Sequence, residues 1–250
     1  MLIARRMFLG GQQVKNAFAS PFLHPKNAGI IGNGGLTMEI TWYGQSCFRL
    51  TERGSASVVT DPYDHKVVGY NALKLKSDIV TVSHENPGHN FVDGVKGYKH
   101  LLNGPGEYEI GGVFVTGVRT NGSKQEGQLR NTLYVFDYDG ITIAHLGDLR
   151  AVPSRSQVDA LGEVNIVLVP IGGGEGLSAA KAAEVVGVLA PNIIIPMNYA
   201  TTDGKLPLDS LEKFIKEMGL GAVDAESSMK ITKGSLPEDT RVVVLEAQQK

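Results

Sequence analysis

Asp78-Ile79-Val80-Thr81-Val82-Ser83-His84-Glu85-Asn86-Pro87-Gly88-His89-Asn90 is the stretch whose reading decides the fold. Its first five residues are a short apolar run of the kind that forms a buried strand. Polar side chains follow at once, where the strand would end. Open α/β sheets place their chemistry at such carboxyl ends. His84 and His89 lie five positions apart, with Glu85, Asn86 and Asn90 between and beside them. Such a set can gather around a metal ion or a substrate.

Outward from this stretch, composition sets the bounds. The chain has 250 residues, of which 42% are hydrophobic, enough for a sizeable core and against global disorder. The 31 glycines suggest many tight turns between short elements. Cys47 is the only cysteine. It excludes an internal disulfide, fits a reducing compartment and reads as a buried structural thiol. The net charge of −2 offers no electrostatic case for nucleic acid. No apolar run approaches the roughly 20 residues of a membrane span, so no membrane partner is expected and a cytoplasmic location is. Residues 1–37 carry Arg5, Arg6, Lys15 and Lys26 and no acidic residue. They show no lasting period and read as a loosely ordered extension, with a small docking helix around 11–20 as the alternative. A single globular domain is expected over 38–250.

From Met38 the pattern is one of strands. Runs at Glu39–Tyr43, Ser46–Leu50, Ala56–Thr60 and 78–82 are followed by others near 99–103, 107–110 and 113–118. Asn131–Asp137 and Ile141–Leu146 form a hairpin around Tyr138-Asp139-Gly140, where Asp-Gly supplies positive φ. The pattern then turns to α/β. Ser154 to Gln157 is a capping box opening a helix to Leu161. Ser178 caps a helix whose apolar residues are Ala182, Val185, Val186 and Leu189. Leu208, Leu211, Ile215 and Met218 line another helix. Val164–Pro170 and Asn192–Pro196 read as strands covered on both faces, and Met229–Thr232 and Arg241–Glu246 as closing strands. Two β-rich halves with helices outside predict an α/β (α+β) αββα sandwich of two mixed sheets.

Polar candidates cluster at four strand ends: His84–Asn90, Gly104–Glu109, His145–Asp148 and Pro196–Tyr199. With these segments and Gly44–Phe48, Thr60-Asp61-Pro62, Gly106–Val113 and Pro170–Gly174, the chain resembles the metallo-β-lactamase superfamily, in the branch of metal-dependent hydrolases similar to ascorbate-6-phosphate lactonase. The resemblance covers about residues 38–246. It implies a metallo-β-lactamase fold with metals at one edge between the sheets, and a homo-oligomer.

The metal motif of that family, His-x-His-x-Asp-His, reads here His84-Glu85-Asn86-Pro87-Gly88-His89. Asn86 stands for the middle histidine, Gly88 for the aspartate, Asn198 for a later histidine and Gln45 for an early one. Arg119-Thr120-Asn121-Gly122 supplies no histidine where another is expected. Of the ligands the resemblance implies, His84, His89 and Asp148 remain, so the motif is degenerate and the metal site is read as eroded. The expectation is one weakly held divalent ion, zinc or manganese, on His84, His89 and Asp148, or none. If a hydrolase, the protein acts on an anionic small ester or lactone, with His84, His89 and Asp148 catalytic and Asn86, Asn198 and Glu85 binding substrate. The alternatives are a non-catalytic small-ligand-binding or scaffold protein, and metal-free acid/base catalysis by Glu85, His84 and His89. His145 is expected to pack behind the site. Asp61, before Pro62, is read either as a turn residue or, by the resemblance, as a group near the metals. His24, His65 and His100 read as surface residues and Glu107 and Glu109 as a strand with at least one residue facing solvent. Gly172–Gly174 reads as a loop passing close to the site, with Glu175 ambiguous. Arg119, Arg130 and Arg150 are either solvated or an anion-binding rim.

Overall fold

The computed structural model describes residues 36–120 and 130–249. Most of the expected N-terminal extension and the segment after Thr120 lie outside the described residues. In chain order the strands are β1 (Met38–Trp42), β2 (Phe48–Glu52), β3 (Val58–Thr60), β4 (Leu75–Lys76), β5 (Ile79–Thr81), β6 (Val95–Lys96), β7 (His100–Leu102), β8 (Gly106–Ile110), β9 (Val113–Arg119), β10 (Thr132–Tyr138), β11 (Ile141–His145), β12 (Ile166–Pro170), β13 (Ile193–Met197), β14 (Ala225–Glu226), β15 (Met229–Ile231), β16 (Arg241–Val242) and β17 (Val244–Leu245). The helices are α1 (His65–Val68), α2 (Arg155–Leu161), α3 (Ala179–Leu189) and α4 (Leu211–Glu217).

Two large mixed sheets form the body of the described residues, as the pattern predicts, with two two-stranded sheets, β14-β17 and β4-β6, beside them. One has six strands in the order β15-β1-β2-β3-β5-β7, the other seven in the order β16-β13-β12-β11-β10-β9-β8. In the first, β1 buries alternate residues, Met38, Ile40 and Trp42. They share one core with Phe48, Leu50, Val58 and Ile79 and with Val115, Phe136, Tyr138 and Ile143 of the second sheet. Two tyrosines cross the gap. Tyr138 donates to the Ala56 carbonyl at 3.0 Å and Tyr134 to that of Leu102 at 3.0 Å. Each satisfies a hydroxyl that would be costly to bury unpaired. In the second sheet β12 and β13 are buried along their whole length, as in strands covered on both faces.

Local signals account for most of the boundaries. The Ser154 capping box is formed on α2, and Ser178 caps α3. Asp139 and Gly140 both have positive φ, 49° and 89°, which matches the right-handed twist of the β10–β11 hairpin. The structure corrects three readings, one of them that Leu208 lines a helix: it precedes Ser210, the N-cap of α4, and lies outside that helix. Ser46 and Cys47 belong to a turn, closed by Cys47 N to Gly44 O at 2.9 Å, so β2 starts at Phe48. The run 241–246 is two short strands that join different partners, β16 on β13 and β17 on β14. The one-turn helix α1, capped by Asp64, has no apolar period to announce it.

Parallel pairing sets the functional edge. Thr60 lies opposite Thr81 in β3 and β5, and β11, β12 and β13 are mutually parallel. The sheets are stitched where these strands end. Thr132 N donates to the Ser83 carbonyl at 2.8 Å, and an imidazole nitrogen of His145 lies 2.9 Å from the Ser46 carbonyl.

Candidate metal centre

Asp61 anchors the site. It follows β3, has a φ of 36° and is fully buried. One carboxylate oxygen, Oδ1, accepts from Ser83 N at 2.7 Å. The other, Oδ2, accepts from Ser83 Oγ at 2.6 Å and contacts His89 Nδ1 at 2.8 Å. Burial by itself raises the Asp61 carboxyl pKa. The imidazole of His145, the hydrogen bond from His89 and the nearby His84 outweigh it and hold the group below its ordinary value. Asp61 is therefore an ionised carboxylate at neutral pH, which can only accept.

That fixes the two histidines. His89 Nδ1 carries the proton that bonds Asp61, so in the neutral ring Nε2 is the atom with the free lone pair. Ser83 spends its one hydroxyl proton on Asp61, so its oxygen can only accept from His84 Nδ1, 3.0 Å away. His84 Nε2 is then bare as well, an assignment that follows from the network. Burial also drives the His84 pKa down to about 4, so the ring is neutral at pH 7, the state in which imidazole binds metal. A carboxylate behind a histidine is the usual device for orienting a metal-binding ring.

The turn between the two histidines brings them together. His89 N and Asn90 N both donate to the Asn86 carbonyl, and Asn86 Oδ1 accepts from Gly88 N at 2.8 Å. This is an Asx turn built by Asn-Pro-Gly. The rings of His84 and His89 end 4.2 Å apart between centroids, tilted by 51°. Backbone bonds from Asp64 N to Pro87 O and from Phe91 N to Pro62 O tie this loop to the Asp61 loop.

Asp148 approaches from the other sheet. Gly147 precedes it with φ 57°, and a Cβ there would lie 2.5 Å from Ser83 Cβ and against Asn131 Oδ1, so only glycine fits. Asp148 N donates to Asn131 Oδ1 at 3.0 Å, and Asn131 Nδ2 to the Leu146 carbonyl at 3.1 Å. Asp148 Oδ2 lies 3.8 Å from His84 Nε2. The same oxygen accepts from Arg150 Nε at 3.0 Å and Nη2 at 2.8 Å, and Arg150 Nη1 contacts Glu175 Oε2 at 2.8 Å.

By spacing alone, the ligand-type group is Asp61, His84 and His89, with one donor atom of each within 4.8 Å of the others. The hydrogen bonds give Asp61 a different part, because its oxygens are engaged in holding the two rings. His84 Nε2 and His89 Nε2 take no part in that network, and the Asp148 carboxylate lies 3.8 Å from His84 Nε2, outside the group of Asp61, His84 and His89. Imidazole and carboxylate are donor types that zinc takes.

The other candidates fall as follows. His145 is fully buried, and burial lowers its pKa. Nε2 faces the Ser46 carbonyl and Nδ1 accepts from Gly147 N at 3.3 Å, so both ring nitrogens are used and it stands behind the site. Glu85 is exposed and bonded to Asn90 Nδ2 at 2.8 Å. Asn198 directly follows β13 with φ 55° and donates through its backbone to the Gln45 carbonyl at 3.1 Å. Gln45 Oε1 is buried with no hydrogen-bond partner among the described residues. A side chain at Gly172 would strike the Asn198 carbonyl, so that glycine permits a close passage. Glu107, Glu109, Arg119 and Arg130 are exposed. Of the two readings of Asp61, the structure bears out the place beside the histidines, but its bonds to Ser83 and His89 and the Arg150–Asp148 pair are not visible in the sequence. Asp-Pro directly after an apolar run was the available signal for the first, and the two-residue spacing after a strand end for the second.

Residues 39–198 match the family described as beta-lactamase superfamily domain. The chain belongs to the metallo-β-lactamase superfamily. It is 29% identical over 205 residues to a UPF0173 protein of Pyrococcus abyssi, covering 72% of this chain and 90% of that one. It is 28% identical over 193 residues to a UPF0173 metal-dependent hydrolase of Thermoplasma acidophilum, covering 66% and 85%. The crystal structure of a Thermotoga maritima superfamily protein, named as a candidate Zn-dependent hydrolase, superposes with a TM-score of 0.68 at 32% identity. That match covers 84% of this chain and 100% of the other. In the superfamily fold seen here, the ends of β3, β5 and β11 supply Asp61, the two histidines and Asp148. Among the described residues, no helix is long and apolar enough to cross a membrane.

Proposed function

We propose that this protein is a metal-dependent hydrolase that uses one divalent ion, zinc or manganese, on an anionic small ester or lactone. The observation that carries the reading is the buried Asp61–Ser83 network, which engages Nδ1 of both histidines and leaves both Nε2 atoms outside it. A merely structural histidine pair has no need of that alignment. When bound, the ion would polarise the scissile carbonyl or phosphoryl group and acidify water. Asp148 orients the attacking water and takes its proton. Asp61 and Ser83 hold the rings without touching substrate. Asn86 and Asn198 offer amide groups to the substrate, and Glu85 stands at the rim. Arg150 supplies the positive charge that favours an anionic substrate. The single thiol, Cys47, is fully buried, which supports a reducing, cytoplasmic setting.

A second reading is a non-catalytic protein that binds a small anion at the same edge. It is favoured by Arg150, whose two bonds already fill Asp148 Oδ2. Metal content after chelator-free purification separates the two. The hydrolase reading expects a bound ion, and about 100 Kd of free Zn2+ or Mn2+ then adds about 2.7 kcal/mol, a Tm rise of roughly 5–10 °C. Less than about 0.1 equivalent of metal, with no rise in Tm, refutes it.

A further inference from the structure

Arg150 is the cation bonded to Asp148, and its geometry is unusual in one respect. A guanidinium commonly meets a carboxylate with one N–H on each oxygen. Here Nε and Nη2 both bond the same oxygen, Asp148 Oδ2, at 3.0 and 2.8 Å. An oxygen accepting two such bonds has no lone pair left over. It is also the oxygen 3.8 Å from His84 Nε2, and so the one an ion on the imidazoles would take. The other oxygen, Oδ1, faces the glycine loop, where a side chain at Gly176 would come within 3.4 Å of it. Arg150 has somewhere to go. Its Nη1 is already paired with Glu175 Oε2 on that loop, a carboxylate 82% exposed, and its own side chain is 32% exposed.

We infer that Arg150 is a built-in competitor of the metal ion for Asp148, so that loading the centre requires the guanidinium to leave Oδ2 for the Glu175 side. The inference rests on the single-ion reading above. It makes Arg150 a positioning residue that sets metal affinity through Asp148. An ion that displaces Arg150 must break two charge-assisted bonds and sit beside a like charge, and both effects weaken binding. Freed from Asp148, the guanidinium is held at the mouth of the site, where the anionic group of a substrate would meet it.

The test is competition for Zn2+ against a chromogenic chelator at pH 7.5, with the wild-type chain, Arg150→Met, Arg150→Lys and Asp148→Asn. Thermal unfolding in EDTA checks that each variant is folded, and Arg150→Lys serves if Arg150→Met is not. We expect Arg150→Met to bind Zn2+ at least tenfold more tightly than wild type and Arg150→Lys to fall between, because it keeps the charge but loses the fork. In the Asp148→Asn background, Arg150→Met gives much less gain, since the contested oxygen is gone. If wild type binds Zn2+ and Arg150→Met binds it equally or less tightly, the inference is overturned while the hydrolase reading stands. If neither binds Zn2+, both are overturned.

Discussion

Asp61→Asn is the sharpest perturbation of this site, because it changes one atom and nothing in shape. Asp61 receives three donors: Ser83 N on Oδ1, and Ser83 Oγ and His89 Nδ1 on Oδ2. The amide NH2 of asparagine cannot face the backbone N–H of Ser83, which has no means to turn, so it takes the Oδ2 position. His89 must then present a bare Nδ1, and its proton moves to Nε2. The Ser83 hydroxyl becomes an acceptor from the new NH2 and turns its own proton to His84 Nδ1, so His84 shifts its proton to Nε2 too. One substitution thus blocks both metal-facing lone pairs. Loss of one orienting partner typically costs 10- to 100-fold in metal affinity, so two rings together predict a loss of about 10²- to 10⁴-fold. Replacing charge-assisted bonds by neutral ones in a fully buried network costs about 2–4 kcal/mol, a fall in Tm of roughly 5–15 °C. The affinity is read by chelator competition, the stability by unfolding in EDTA, and the tautomers by long-range 1H–15N correlation of the imidazoles. Metal affinity within about threefold of wild type, with Nδ1–H signals retained for both rings, would refute the reasoning.

Two further outcomes follow from the same geometry. Burial holds the His84 pKa at about 4 in the folded chain, against 6.5 when free, so the unfolded chain binds the extra proton first. The metal-free protein should lose stability as pH falls from about 6.5 to 4, by up to about 3 kcal/mol, and be unaffected by this group at higher pH. Urea midpoints in EDTA across that range check it, and His84→Gln should flatten the limb. Gly147→Ala places a Cβ against Ser83 and Asn131 at φ 57° and should cost about 2–4 kcal/mol in urea unfolding, with metal affinity falling because Asp148 is displaced. An alanine variant as stable as wild type would show that the two sheets do not meet there as described.

Several elements were legible because their causes are local. The capping box at Ser154, the Asp139-Gly140 turn and the all-apolar β12 and β13 depend on neighbours a few residues away, and the structure forms each of them. The helix α1 was not legible, because one capped turn carries no period. Ser46 and Cys47 have strand-like composition, but the Gly44–Cys47 hydrogen bond makes them a turn.

Periodicity and side-chain type are written residue by residue, so the layered α/β sandwich was readable in the chain, and two imidazoles and a carboxylate at strand ends were readable as candidate donors. Tertiary structure alone decided which partner each group has. Asp61 reaches Ser83 and His89, 22 and 28 residues away, only because β3 and β5 run parallel in register. Arg150 could have been a solvated rim charge, and folding sets it on Asp148 and Glu175. A hydrogen bond of about 2.8 Å tolerates little displacement, so tautomers, charges and metal affinity follow from how strands pair and sheets pack, which no local pattern in the chain encodes.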